Sequence, residues 1–253
     1  MGTSPLRIIT GELTGTAPLD TAVSRAILRR VSMGELPETL QVGMPHRVVA
    51  FGRHDVLTDG FDDAVGIAVV NGFDPTIRIA GGRAVVFHPR TVRFAWTVPT
   101  ADPTAGMHER FSTVADHVVA ALASFGIAAA VGELEREYCP GRYSVHINGA
   151  RKVMGSGQRL ARRAAQVAGM IVVGDAETVN DVLEPIYGAL GLDMDPSRTG
   201  AVADVLDVDA HAVASVFTRQ FTNGRPCRQD RVDSTTMALA RTFQPDHDPR
   251  ELA

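Results

Sequence analysis

The segment Asn148-Gly149-Ala150-Arg151-Lys152-Val153-Met154-Gly155-Ser156-Gly157-Gln158-Arg159 opens on the strongest two-residue signal for a hairpin turn. Asn and Gly both tolerate the positive φ that such a turn requires. Residues 143–147 and those from 151 onward therefore read as paired antiparallel strands, and 166–173 (QVAGMIVV) as a third. Glycines inside a strand mark a place where a ligand or another backbone comes close, and Gly155 and Gly157 flank Ser156 in the second strand. Lys152 stands near the start of that strand. An ammonium beside bare backbone suits a ligand lying across a sheet. A surface hairpin with a glycine-weakened strand is the equal alternative from these residues alone.

The lysine is unusual in another way. Of 25 Lys and Arg residues it is the single lysine, the other 24 being arginine. A genome rich in arginine codons accounts for the 24 but not for the exception. Lysine offers a compact point charge that arginine does not.

Outward from the hairpin, residues 107–125 predict the clearest helix, with Phe111, Val114, Val118, Leu122 and Phe125 on one face and Gly126 as its stop. Further helices are expected at 16–33, 177–190 and 208–221. Strands are expected at 47–53, 66–70, 76–80, 83–88 and 91–98. Helices that do not alternate one-for-one with strands point to an α+β domain with a mixed, mostly antiparallel sheet. Residues 222–253 show no steady period. The expected division is a catalytic domain over 1–222 and a loosely attached C-terminal tail over 223–253, with one short helix near 234–242.

Composition narrows the function. Hydrophobic residues make up 45%, enough for a core, and no apolar run approaches the roughly 18 residues of a membrane span. The amino-terminal residues lack the charged start and long apolar stretch of a secretory signal, so a cytoplasmic protein is expected. A net charge of −4 gives no support to nucleic-acid binding. Two cysteines make neither a disulfide framework nor a zinc site, and the histidines show no metal-ligand spacing.

A second segment, Arg78-Ile79-Ala80-Gly81-Gly82-Arg83-Ala84-Val85-Val86-Phe87-His88, sets a glycine pair between two strands and arginines beside it. Backbone amides there can face an anion, and the arginines suit a carboxylate or phosphate. A Gly-Gly hairpin turn flanked by surface arginines is the commoner case. The segment is neither a Walker loop nor a dinucleotide fingerprint.

Together the two segments, Arg78-x-x-Gly81-Gly82-Arg83-Ala84-Val85…His88 and then Gly149-x-Arg151-Lys152-Val153-x-Gly155-Ser156-Gly157-Gln158-Arg159, resemble the lipoate–protein ligase A family. This is the biotin/lipoate ligase catalytic domain, which includes octanoyltransferases. The likeness begins in the helix around Leu19–Val31, passes through Val49-Ala50-Phe51-Gly52-Arg53 and runs to about Val173. It implies a fold related to class II aminoacyl-tRNA synthetase cores. It also implies that Lys152, falling on the family's essential lysine, contacts the acyl carboxyl or carbonyl oxygen. Arg53, Arg78, Gly81, Gly82, Arg83 and Ala84, with Gly155, Ser156 and Gly157, would shape the pocket for acyl chain and nucleotide. Ligases of this family use ATP and magnesium to activate lipoate or octanoate as acyl-AMP. They then acylate a lysine of a lipoyl domain, in a 2-oxoacid dehydrogenase E2 or the glycine cleavage H protein. That reaction is the expected one. Val85, Phe87 and Trp96 are candidate walls of an eight-carbon tunnel, or plain core.

The chain departs from the family's pattern in two places. The step from the glycine pair to His88 is one residue longer than usual, and on a strand one residue reverses facing unless a bulge absorbs it. The C-terminal domain of two-domain ligases has no counterpart in 223–253. Cys139 carries the alternative chemistry: it is the candidate nucleophile of an octanoyl or lipoyl transferase that would take its acyl group from acyl carrier protein through a thioester. Arg136, Arg142 and Lys152 are cations that would lower its pKa. Against this stand its displaced register relative to the family's nucleophile and the usual role of a lone cysteine as a small apolar residue. From a different class, an inactive acyl-binding module is the remaining rival.

Overall fold

The computed structural model describes residues 4–11 and 15–252. The parts of the amino-terminal reading that rest on residues 1–3 and 12–14 lie outside them, as do the outermost residues of both expected domain ranges. The strands are β1 (Leu6–Thr10), β2 (Thr39–Gly43), β3 (Val48–Phe51), β4 (Asp74–Ile77), β5 (Val85–Phe87), β6 (Thr91–Pro99), β7 (Ala129–Val131), β8 (Val145–Ile147), β9 (Arg151–Ala161), β10 (Ala164–Val172) and β11 (Cys227–Asp230). The helices are α1 (Ala17–Ser32), α2 (Phe61–Val70), α3 (Met107–Ala123), α4 (Ala176–Ala189), α5 (Ala210–Thr222) and α6 (Ser234–Phe243).

The α+β class is as expected. One 8-stranded sheet runs β11-β1-β2-β6-β10-β9-β8-β7, and a 3-stranded sheet runs β4-β3-β5. In the large sheet β1 pairs in parallel with β11 and β2, and every other neighbouring pair is antiparallel. Helices α3 and α5 cover one face, where Val114, Val118, Leu122, Phe217 and Phe221 close a core with Leu40, Phe94 and Val167. Over the other face lie α1 and the small sheet, the latter backed by α2 and α4. The cavity described below sits under this second cover.

The β8–β9 hairpin forms as read, with Asn148 at φ 53° and Gly149 at φ 65°. Beyond the turn, His146 pairs with Lys152 but Val145 pairs with Met154, so Val153 is the extra residue of a β-bulge. The bulge lets Lys152 and Gly155, three residues apart, face the same side of the sheet: a Cβ on Gly155 would lie 3.3 Å from Lys152 Nζ.

Three expectations are corrected. Residues 66–70 are the end of helix α2 rather than a strand. Its buried residues Phe61, Ala64 and Ala68 recur at helical spacing, while Val69 and Val70 point to solvent. Gly81 and Gly82 are not a hairpin turn either. Strands β4 and β5 pair with opposite edges of β3, so 78–84 is a crossing loop.

Finally, in its described part, 223–253 is not loosely attached. Strand β11 extends the large sheet at β1, and α6 packs on α1. Arg7, 1% exposed, donates from Nε to Asp230 at 2.7 Å and from Nη2 to the Arg231 carbonyl at 2.6 Å. Arg30 holds Asp233 at 2.7 Å, and the buried His247 contacts the Ile77 carbonyl through Nδ1. Besides the short apolar face of α6, the attachment uses ion pairs and an exposed edge strand, which leave no hydrophobic period, so the sequence pattern did not show it.

Candidate active site

Strand β9, loop 78–84 and the loop between β7 and β8 converge at one end of a cavity under α1. Lys152 is fully buried there. Its three protons go to Glu137 Oε1 at 3.0 Å, the Tyr138 carbonyl at 2.9 Å and the Cys139 carbonyl at 2.8 Å. Its Nζ also lies 4.7 Å from the centre of the Tyr138 ring. Glu137, 1% exposed, accepts as well from Gly141 N, Ser144 Oγ and Leu134 N. A buried charge pair persists only when paired and hydrogen-bonded in this way. One carboxylate thus fixes both the lysine and the loop that carries the cysteine.

Cys139 sits on that loop with φ 42°, a left-handed conformation that L-residues seldom adopt. Its own N–H donates to Tyr187 Oη at 2.7 Å, and that hydroxyl donates to the Ala84 carbonyl at 3.2 Å. Sγ accepts from Arg78 Nη2 at 3.2 Å and from the Arg83 N–H at 3.3 Å. Burial alone would raise the thiol pKa. The charges of Arg78 and Lys152 and the two hydrogen bonds outweigh it and hold the thiol below its ordinary value.

The two glycines of the crossing loop differ. Gly82 has φ 106°, and a Cβ there would sit 2.7 Å from Cys139 Sγ and collide with the Arg78 guanidinium. Gly81 has open space around it, yet its carbonyl rests on β9, 2.7 Å from where a Cβ of Gly157 would be. Bare backbone at Gly157 is what lets the loop settle on the sheet. Arg83 reaches the fully buried Asp55 at 3.3 Å, and Asp55 accepts from Gly52 N at 2.8 Å, which pins the loop to the end of β3.

Of the residues singled out in the sequence, Arg78, Cys139, Lys152, Gly155 and Ser156 line this cavity, and Val85 and Phe87 form part of its apolar wall. Arg53 does not reach it. It lines an adjoining groove with Gly81, Gly82 and Arg159. Ala84 is buried behind the loop, and Trp96 faces the opposite core, its Nε1 donating to Glu38 at 2.7 Å. His88 lies in the β5–β6 turn, 3% exposed, its Nδ1 accepting from Arg90 N. Burial lowers its pKa, so it is neutral, and it is not part of the cavity wall. Arg136 and Arg142, the other cations considered for Cys139, are not among its partners; Arg136 pairs with Asp193 at 2.9 Å. Glu137, Tyr187 and Asp55 were not anticipated. Glu137 hides in the charged run Glu133-Leu134-Glu135-Arg136-Glu137, which reads as a solvated face.

The site therefore combines an activated thiol, a fixed ammonium and an apolar chamber, the elements needed to hold an acyl group and stabilise charge on its carbonyl. Among the described residues no group of three or more His, Cys, Asp or Glu is placed to hold a metal ion, and no helix is long and apolar enough to cross a membrane.

This combination of sheet, crossing loop and lysine strand marks an acyl-handling enzyme of the ligase and transferase type. Residues 17–222 match the lipoyl protein ligase A/B catalytic domain, and the chain belongs to that family. A lipoyl-[GcvH]:protein N-lipoyltransferase from Listeria monocytogenes is 22% identical over 223 residues, 85% of this chain and 80% of the relative. An octanoyl-[GcvH]:protein N-octanoyltransferase from Geobacillus kaustophilus is 26% identical over 146 residues, covering 58% of this chain and 51% of that protein. Among solved structures, lipoate-protein ligase A bound with ATP superposes with a TM-score of 0.77 at 21% identity, covering 95% of this chain and 94% of the other. A bi-partite lipoate protein ligase from Thermoplasma acidophilum, described with its E2 lipoyl domain, gives 0.74 at 20% identity over 95% and 92%. At these identities the structures establish the shared fold.

Proposed function

We propose that the chain transfers an octanoyl or lipoyl group onto a lysine of a lipoyl domain through a thioester on Cys139. The observation that carries this reading is the setting of the thiol. Sγ accepts from Arg78 and from the Arg83 N–H, and its pKa is lowered in the same cavity that Lys152 enters. A structural cysteine needs none of this; a nucleophile needs all of it.

The thiolate attacks the carbonyl carbon of an acyl group delivered on a carrier protein. The S–C bond forms and the bond to the carrier breaks; a carrier amine leaves with a proton taken from water, which the acceptor amine returns in the second half, and a carrier thiol leaves as thiolate. The charge of Lys152 and the N–H donors facing Cys139 stabilise the oxyanion. The acceptor lysine, as free amine, then attacks the thioester and regenerates the thiolate. Relatives named for GcvH support the glycine cleavage H protein as one carrier, with an E2 lipoyl domain as acceptor. Acyl carrier protein is the other donor to try.

The adenylate route expected from the sequence is the rival. Its support is the fold shared with an ATP-bound ligase, together with Arg53 and Arg159 in the groove beside Gly81 and Gly82, where phosphates would meet positive charge. Magnesium would then be held mainly by the phosphates. The test is direct. Wild-type protein incubated with octanoyl-H protein should gain one acyl group by intact mass, removed by hydroxylamine, and Cys139→Ser should neither load nor transfer. If Cys139→Ser acylates a lipoyl domain from free lipoate and ATP, the ligase reading replaces this one.

A further inference from the structure

The cavity has a second end, and its chemistry is not explained by an aliphatic chain. Across the large sheet, Gly155 on β9 pairs with Met170 on β10, Met170 pairs with Arg93 on β6, and Arg93 pairs with Gly43 on β2. Gly155 lies against Lys152 Nζ. A chain whose carbonyl sits at Lys152 and which crosses the strands at right angles therefore reaches Arg93 after two strand spacings, about 10 Å. That is the reach of an eight-carbon acyl group. Its path is apolar, over Met170 and under Val85 and Phe87.

At the end of this path the wall turns polar. Arg93 lines the cavity with Asp20, Ser24 and Gln166. Ser24 and Gln166 are occupied with each other, and Gln166 also donates to Thr97 Oγ1 at 2.8 Å. Arg93 is half-buried, and its Nε is enclosed without a hydrogen-bond partner; among the described residues no carboxylate lies within 4.0 Å of it, Asp20 acting on it through its charge alone. Its guanidinium lies over Gly43, where a Cβ would come within 3.9 Å of Nη2. Burial lowers its pKa to about 10, with the charge of Asp20 acting in the opposite direction, so it stays a cation at neutral pH. A buried N–H without an acceptor is unfavourable until a ligand or water supplies one.

We infer that Arg93 is a specificity-determining residue and that this cavity takes medium-chain acyl groups carrying an oxygen acceptor at the far end, in preference to a bare hydrocarbon tail. The inference rests on the proposed reading that the acyl carbonyl lies at Lys152. It keeps that site and chemistry and replaces the octanoyl or lipoyl tail of that reading with one that ends in oxygen. The preferred substrate is then an acyl chain that an oxidation or hydroxylation at its terminal carbon has already modified.

Free acids test this without any transfer chemistry. Binding of octanoate, 8-hydroxyoctanoate and octanedioate to the wild-type protein is measured by calorimetry. At least one oxygen-ended acid is expected to bind about tenfold or more tightly than octanoate, the size of a hydrogen bond to a charged group. Arg93→Met should abolish that preference while retaining octanoate binding, and Arg93→Lys should keep part of it. Equal or tighter binding of octanoate by the wild type overturns the inference and leaves the acyl cavity intact, as does a preference that survives in Arg93→Met. If none of the three acids binds, the acyl cavity and this inference fall together. The wild-type series decides the matter even if the Arg93 variants do not fold.

Discussion

The two ends of the cavity each present a cation, Lys152 fully buried and Arg93 half-buried, and the two are housed in opposite ways. Every proton of Lys152 has an acceptor, and Glu137 neutralises it at 3.0 Å. Arg93 has an Nε without a partner and no close carboxylate among the described residues. The difference separates two uses of charge. On the proposed reaction the ammonium is in place before the acyl group arrives, so that its charge stabilises a transition state without reorganising. At the far end, on the inference drawn above, the charge is left available for a ligand.

Removing the partner of the paired cation should have the largest effect. Glu137→Ala leaves a buried ammonium uncompensated and frees Gly141 N and Ser144 Oγ, so a loss of about 3–5 kcal/mol is expected in urea unfolding. A midpoint unchanged from wild type would show that the pair contributes nothing. Next comes Lys152→Arg, which keeps the charge but not the point geometry. Acyl transfer should fall by about 10²-fold or more in kcat/KM with the fold retained. Near-normal turnover would remove Lys152 from the reaction.

Smaller effects belong to the loop. Gly82→Ala must displace either Arg78 or Cys139 Sγ, whereas Gly81→Ala meets nothing. Thioester loading should drop about tenfold or more in the first and stay near wild type in the second, within the roughly 0.5 kcal/mol typical of harmless surface changes. Equal behaviour of the two variants would make the pair a plain loop. The mildest change is Arg78→Met. On the proposed thioester route, transfer needs the thiolate and is lost as pH falls through the thiol pKa. Removing a charge that holds that pKa down should move the acid limb of the pH–kcat/KM profile to higher pH. An unmoved limb would mean that Arg78 does not tune the thiol.

What was legible in the sequence was local or periodic. The Asn148-Gly149 turn, the strand after it and the amphipathic faces of α1, α3 and α5 follow from residues a few positions apart. The five apolar residues at 66–70 were ambiguous by nature, since a short buried run has no period of its own; Phe61 and Ala64, outside the run, decide for helix. In the site, the motif residues Arg78, Gly82, Lys152 and Gly155 come together with Cys139 at one end of one cavity. Glu137 and Tyr187 were hidden because their roles depend on folding. One looks like surface charge and the other like any residue on a helix. Arg93 sits in the alternating strand Thr91-Val92-Arg93-Phe94-Ala95-Trp96, where an arginine reads as the polar outward face. The second cover, α1 and the small sheet, makes that face an interior.

The seam between β1 and β11 carries a consequence for how the chain acquires its fold. Arg7 and Asp230 are 223 residues apart, and closing a loop of that length costs about 5 kcal/mol of chain entropy before the contact returns anything. That pairing therefore forms late, after the hairpins and helices of the middle have assembled. Until it does, Leu6-Arg7-Ile8-Ile9-Thr10 is an open, apolar sheet edge with its hydrogen-bonding groups exposed. The same edge on another nascent copy would satisfy it equally well. The exposed, charged strand Cys227–Asp230 thus acts as a built-in guard against aggregation, one that takes up its post only after the more than two hundred residues between it and β1 have been made.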